Sequence, residues 1–92
     1  MGLLDMLNDP MTGKTLICQE QDVLSIIPEI NRCVSKVEHR RMLINHDKSG
    51  TWTIEISAPA RQIKSLVKTL ASTYRLELTA DDSTEIVKLV RN

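Results

Sequence analysis

Two cysteines, two histidines and a Gly-Lys-Thr run are the residues of this 92-residue chain whose types could do chemistry. Cys18 and Cys33 offer thiols for nucleophilic attack or for metal ligation. Fourteen residues separate them, whereas zinc-site cysteines come as close pairs of the form Cys-x2-4-Cys, and neither has such a neighbour. A catalytic thiolate also needs a base, and His39 lies six residues beyond Cys33, about 120° round a helix from it. His46-Asp47 could form a general base with an orienting carboxylate, as could His39 with a carboxylate from another element. Adjacent residues at a strand end point apart, however, and no serine or cysteine is placed to use either base, so His46-Asp47 reads as turn chemistry. Thr12-Gly13-Lys14-Thr15 contains the end of a phosphate-binding loop, but the first glycine of that motif would fall on Asn8, and Pro10 interrupts the run. These readings predict no catalytic residue, no metal, no cofactor and no enzyme.

Charge carries the stronger signal. Twelve basic and twelve acidic side chains cancel overall, yet residues 1–31 hold five acids and one base, and residues 32–75 hold nine bases against three acids, a net of +6. The last seventeen residues return to four acids and two bases. Within the basic middle, Arg61, Lys64, Lys68 and Arg75 fall within about 60° of arc on a helical wheel, opposite Ile63, Leu66, Val67 and Leu70. With Arg40 and Arg41 they form a predicted partner-binding surface, suited to an acidic protein face or to phosphates. The chain has one tryptophan, one tyrosine and no phenylalanine, so single-stranded bases would find little to stack on.

These residues must be positioned by elements that the apolar periodicity locates. Lys14–Gln19 is a short extended run rich in apolar and β-branched residues. Ile26, Ile27, Ile30, Cys33, Val34 and Val37 follow one helical face, with Ser25 as N-cap and Pro28 in the first turn. Arg41–His46 and Thr51–Ser57 flank Asp47-Lys48-Ser49-Gly50 and predict a hairpin, its second strand alternating Trp52, Ile54 and Ile56 against polar residues. Ile63, Leu66, Val67, Leu70, Ala71 and Tyr74 predict a second helix of about four turns. Leu76–Ala80 and Glu85–Val90 read as strands around Asp81-Asp82-Ser83. Residues 1–13 form an N-terminal arm or short helix, and residues 14–92 a single domain.

The order β, α, β, β, α, β with an extra C-terminal strand predicts an α+β domain of the ferredoxin-like split βαβ type, two helices on one face of an antiparallel sheet. Its open face would carry Ile17, Leu43, Thr53, Glu55, Glu77 and Thr79. Ile86, Val87, Leu89 and Val90 make the last strand apolar on both sides, which predicts an edge covered by a second copy or by a partner. No apolar run approaches the length of a membrane span, and two cysteines are too few for a secreted disulfide scaffold, so the expected protein is cytoplasmic and without membrane contact. The function expected first is a non-catalytic regulatory or interaction module that binds another protein through the basic second helix, with a sheet-mediated homodimer. Nucleic-acid binding through the same stripe is the alternative, and a small-ligand sensor the third reading.

Overall fold

The computed structural model describes residues 10–36, 40–78 and 86–91. Along the chain run β1 (Met11–Gln19), α1 (Glu20–Cys33), β2 (Arg41–His46), β3 (Thr51–Pro59), α2 (Ala60–Ala71), β4 (Tyr74–Leu78) and β5 (Ile86–Arg91). The strands form one five-stranded mixed sheet in the order β2-β3-β1-β5-β4. Both helices lie on the same face, over a core that includes Leu16, Ile26, Ile30, Ile54, Leu66 and Leu70, each at most 1 % exposed. The α+β expectation therefore holds, with two helices layered on a sheet.

Half of the split arrangement is present. β1 and β2 flank β3 and each pairs with it antiparallel, as a β1-α1-β2 crossover around a central strand requires. The other half differs from the expected ferredoxin-like order. β5 enters between β1 and β4, parallel to β1 through Thr15–Ile17 against Ile86–Lys88 and antiparallel to β4. It is an interior strand rather than the expected edge. The physical reason is in its side chains: Val87 and Leu89 are buried in the core while Ile86 and Val90 are half-buried on the other face, a two-sided apolarity that fits a flanked strand. β4 alternates Tyr74 and Leu76 toward the core with Arg75 and Glu77 on the open face, and that pattern suits the edge it occupies.

The element boundaries also shift from their expected places. β1 begins at Met11, because Met11, Thr12 and Gly13 pair with Pro59, Ala58 and Ser57; these three residues belong to the sheet and not to the arm. α1 starts at Glu20 rather than after Ser25, leaving Pro28 in its interior. Leu24, Ser25 and Pro28 are all exposed, so the carbonyl that Pro28 cannot engage lies on the solvent side, where water serves it. α2 ends at Ala71, and Tyr74 opens β4 instead of closing the helix. Ser72 and Thr73 turn the chain back through amide bonds to the Thr69 and Leu70 carbonyls. Residues 1–9 of the arm, Val37, His39, Thr79, Glu85 and the turn Asp81-Asp82-Ser83 lie outside the described residues.

One polar tie crosses this architecture. Asp22, in the first turn of α1, is 2 % exposed, and its Oδ1 accepts a hydrogen bond from Arg91 Nε at 2.9 Å and forms an ion pair with Nη2 at 2.5 Å. The carboxylate gains from the helix N-terminal dipole, and the arginine anchors the end of β5 to α1. Removing the arginine would leave a buried charge with no countercharge, whereas removing both partners would not. A double-mutant cycle with Asp22→Asn and Arg91→Met, followed by urea unfolding, should therefore give a coupling energy of about 1–2 kcal/mol, with Arg91→Met the costlier single change.

Candidate functional site

Among the described residues, several that could do chemistry have structural partners, and His39 lies outside them. Gly13-Lys14-Thr15 lies in the middle of β1, opposite Ser57, Ile56 and Glu55, so its backbone amides belong to a strand ladder and form no phosphate cradle. Asp47 organises the hairpin loop. Its Oδ1 accepts from Ser49 N at 2.9 Å, Ser49 Oγ at 2.6 Å and Thr51 N at 3.1 Å, and the Ser49 hydroxyl leads in holding the carboxyl below its ordinary value of 3.8. Gly50 closes that loop at φ 87°, a left-handed conformation that favours glycine. The His46 ring packs on Trp52 instead, with centroids 4.6 Å apart. Both cysteines are free thiols. Cys33 lies 3.7 Å from Thr69 Oγ1, between the two helices. Among the described residues no three of His, Cys, Asp and Glu gather as a metal site would require, and no helix is long and apolar enough to cross a membrane.

The six predicted basic contacts separate into four places. Arg61, Lys64 and Lys68 remain together on the exposed side of α2. Arg75 leaves the stripe because the helix stops short of it; it stands on β4, its guanidinium 3.0 Å from Glu77. Arg40 is half-buried and turned inward, donating to Asn31 Oδ1 at 2.8 Å and to the Val34 carbonyl at 3.4 Å, near the C-terminal end of α1 where a cation is favoured. Arg41 begins β2 on the open face. There, with Leu43, Glu55, Ser57 and Thr15, it surrounds a depression over the bare backbone of Gly13, where an added Cβ would meet nothing within 4 Å. Ile17, Leu43, Thr53, Glu55 and Glu77 share that open face, as expected.

What the sequence did not disclose is the groove beside the surviving stripe. Gln62 and Thr69 turn one flank of α2 toward α1, where Gln62 Oε1 accepts from Ser35 N at 2.9 Å and Thr69 meets Cys33. The opposite flank presents Ala60, Ile63, Val67 and Ala71. With Thr12 and Lys14 of β1 and with Lys64 and Lys68, these enclose a shallow groove of about 510 Å³. Ala71, which shares the apolar helical spacing, is exposed. The signal was a second apolar row, Ala60, Val67 and Ala71 at spacings of 7 and 11, next to the core row of Ile63, Leu66 and Leu70. The small alanines leave the space, three lysines stand around it, and no acid is among the described lining residues.

The chain matches no family model, no curated protein and no solved structure.

Burial gives the core thiol a measurable signature. Cys18 is 1 % exposed, and desolvation, helped by the nearby Asp22 carboxylate, raises its pKa to about 11 from 9.0. Above pH 9 the unfolded chain loses this proton while the folded chain keeps it, so stability falls by about 1.4 kcal/mol per pH unit until the folded thiol also ionises. Urea unfolding between pH 8 and about pH 11 should show this alkaline loss in the natural chain, and Cys18→Ala should flatten it. An equal slope in both proteins would mean that other groups are responsible.

Proposed function

We propose that this protein is a non-catalytic interaction module whose contact surface is the groove along α2, and that it takes an amphipathic, acidic segment of a partner protein. The observation that carries this reading is the joint occurrence of an apolar floor (Ala60, Ile63, Val67, Ala71) and a cationic rim (Lys14, Lys64, Lys68) in one concavity. A floor of this kind rewards buried leucine-like side chains, at about 1.5–3 kcal/mol each when fully covered. The rim favours carboxylates and repels basic segments, which gives orientation and speed of encounter more than affinity. Nucleic acid uses only half of that combination. Phosphates would engage the lysines, but no aromatic platform stands beside them, and an apolar floor adds little to a contact with a charged backbone.

A second contact is supported by a separate observation, and it moves the expected self-association from β5 to β2. β2 is an edge strand, and Leu43 and Ile44 are 46 % and 40 % exposed, one on each face. An exposed apolar edge is a template for strand pairing. In an antiparallel pair about a two-fold axis normal to the sheet, opposed side chains share a face, so the Leu43↔Leu43 register also sets Met42 against Ile44 and Arg41 against Asn45, with no like charges opposed. Sedimentation at micromolar concentration should show a dimer that Leu43→Lys with Ile44→Lys converts to monomer; a natural chain that is already monomeric removes this contact.

The groove is tested by fluorescence anisotropy with three labelled probes: an acidic amphipathic peptide, a basic peptide of the same apolar pattern, and duplex DNA. The acidic peptide should bind best, and both Val67→Asp and the pair Lys64→Glu, Lys68→Glu should weaken it at least tenfold with unchanged circular dichroism. DNA binding that falls steeply between about 50 and 200 mM salt and ignores Val67→Asp would give the surface to nucleic acid instead.

A further inference from the structure

We propose that the open face of the sheet carries a separate small-ligand site, the depression over Gly13, and that it takes a free α-amino acid with an apolar side chain. Gly13, Thr15, Arg41, Leu43, Glu55 and Ser57 bound this depression, whose volume is about 350 Å³. It lies across the sheet from the helices and from the α2 groove, because the alternate residues Leu16, Ile54 and Ile56 point into the core.

Strand register explains the shape. Arg41, Ser57 and Gly13 stand in one row across β2, β3 and β1, and Leu43, Glu55 and Thr15 stand in the next. The rows are about 7 Å apart along the strands. Gly13 contributes no side chain and Ser57 a short one, so the first row is low at two of its three positions while the second row forms a wall. Glycine weakens a strand interior, and the backbone does not require it at this position. Gly50, not Gly13, has the positive φ, and a Cβ on Gly13 would meet nothing within 4 Å. A strand glycine of this kind suits a place where a ligand comes close to the backbone.

Charge defines the ligand. Arg41 and Glu55 are exposed and diagonal to each other, about 7–8 Å apart at the backbone, and they form no ion pair with one another. A zwitterion answers both: its carboxylate takes the planar fork of Arg41, and its ammonium takes the Glu55 carboxylate. A simple anion would meet Arg41 but be repelled by Glu55, and a simple cation the reverse. A peptide end brings only one of the two charges. The half-buried hydroxyls of Thr15 and Ser57 can donate or accept beside the polar end of the ligand. Leu43, 46 % exposed, gives its side chain an apolar wall. The depression is open, so part of the ligand stays in water, and the expected dissociation constant is in the millimolar range.

The test follows amide shifts of the full chain during titration with L-leucine, L-methionine, L-phenylalanine, N-acetyl-L-leucine, L-leucinamide and inorganic phosphate. At least one of the free amino acids should move the Thr15, Glu55 and Ser57 amides saturably. For leucine, blocking either its ammonium or its carboxylate should weaken binding at least tenfold. Arg41→Gln should weaken leucine and leave leucinamide unchanged, and Glu55→Gln should weaken leucine and leave N-acetyl-leucine unchanged. Gly13→Val fills the depression with a side chain that strands favour, so it should abolish binding while the thermal midpoint is kept. Three outcomes overturn the proposal: no saturable shift with any of the three amino acids up to about 20 mM, phosphate or N-acetyl-leucine binding as tightly as leucine, or amino-acid binding indifferent to Gly13→Val.

Discussion

The parallel ladder between Thr15–Ile17 of β1 and Ile86–Lys88 of β5 is the joint on which the rest of the molecule depends. It is a short set of pairings between the first and last described strands, so forming it must overcome the loop-closure entropy of bringing two distant parts of the chain together. Once made, it settles three things together. It places a strand that is apolar on both faces where both faces are shielded. It displaces β4 to the edge, where Arg75 and Glu77 can stay on the open side. It also carries Arg91 to the first turn of α1, where the buried Asp22 carboxylate requires a cation. Sheet order, edge identity and the attachment of α1 are consequences of one strand finding an interior position.

Local features of the fold were largely legible in the residues, because they depend on short-range periodicity. The Arg41–His46 and Thr51 hairpin follows from alternation on either side of a loop whose Asp47, Ser49 and Gly50 supply its hydrogen bonds and its left-handed turn. The burial of Ile63, Leu66 and Leu70 follows from their spacing. Strand order was not legible, because apolarity on both faces, Val87 and Leu89 on one and Ile86 and Val90 on the other, is satisfied equally by neighbours within the chain and by a second copy at a rim; only the pairing of the whole chain distinguishes the two. The end of α2 was missed for a related reason. Tyr74 continues the helical count, but it also starts a strand whose ladder with Leu89, Val90 and Arg91 outweighs one more helical turn.

The candidate surface was legible as charge and hidden as shape. A wheel assigns Arg61, Lys64 and Lys68 to one side, and they are there. It cannot show that Arg40 is drawn inward to Asn31 and the Val34 carbonyl, or that Arg75 sits beside Glu77 on another element. Nor can it show a groove, because a groove is made by what faces the helix from β1: Thr12 and Lys14, from a stretch whose periodicity divides it between an arm and a strand. Salt bridges among the described residues join Arg32 to Glu29, Arg75 to Glu77 and Arg91 to Asp22. None involves Lys64 or Lys68, so two exposed cations of α2 stand beside apolar surface that the fold leaves partly uncovered.

That coincidence gives the surface its selectivity. Exposed lysines alone attract any anion weakly and are screened by salt, since the Debye length is about 8 Å at physiological ionic strength. Exposed alanine and valine alone attract any apolar surface without direction. Placed within one helix width of each other, they reward only ligands that satisfy both, and they penalise a basic amphipathic segment by repulsion and a purely acidic one by the desolvated floor it leaves bare. The small side chains of Ala60 and Ala71 add a steric condition, because their shortness lets a ligand's bulky residues or backbone approach α2 closely. Enlarging either alanine would fill the groove without touching the charge. Shape and charge at this surface are therefore separable by substitution: the first should act mainly on the rate of dissociation and the second mainly on the rate of encounter, and both enter the affinity.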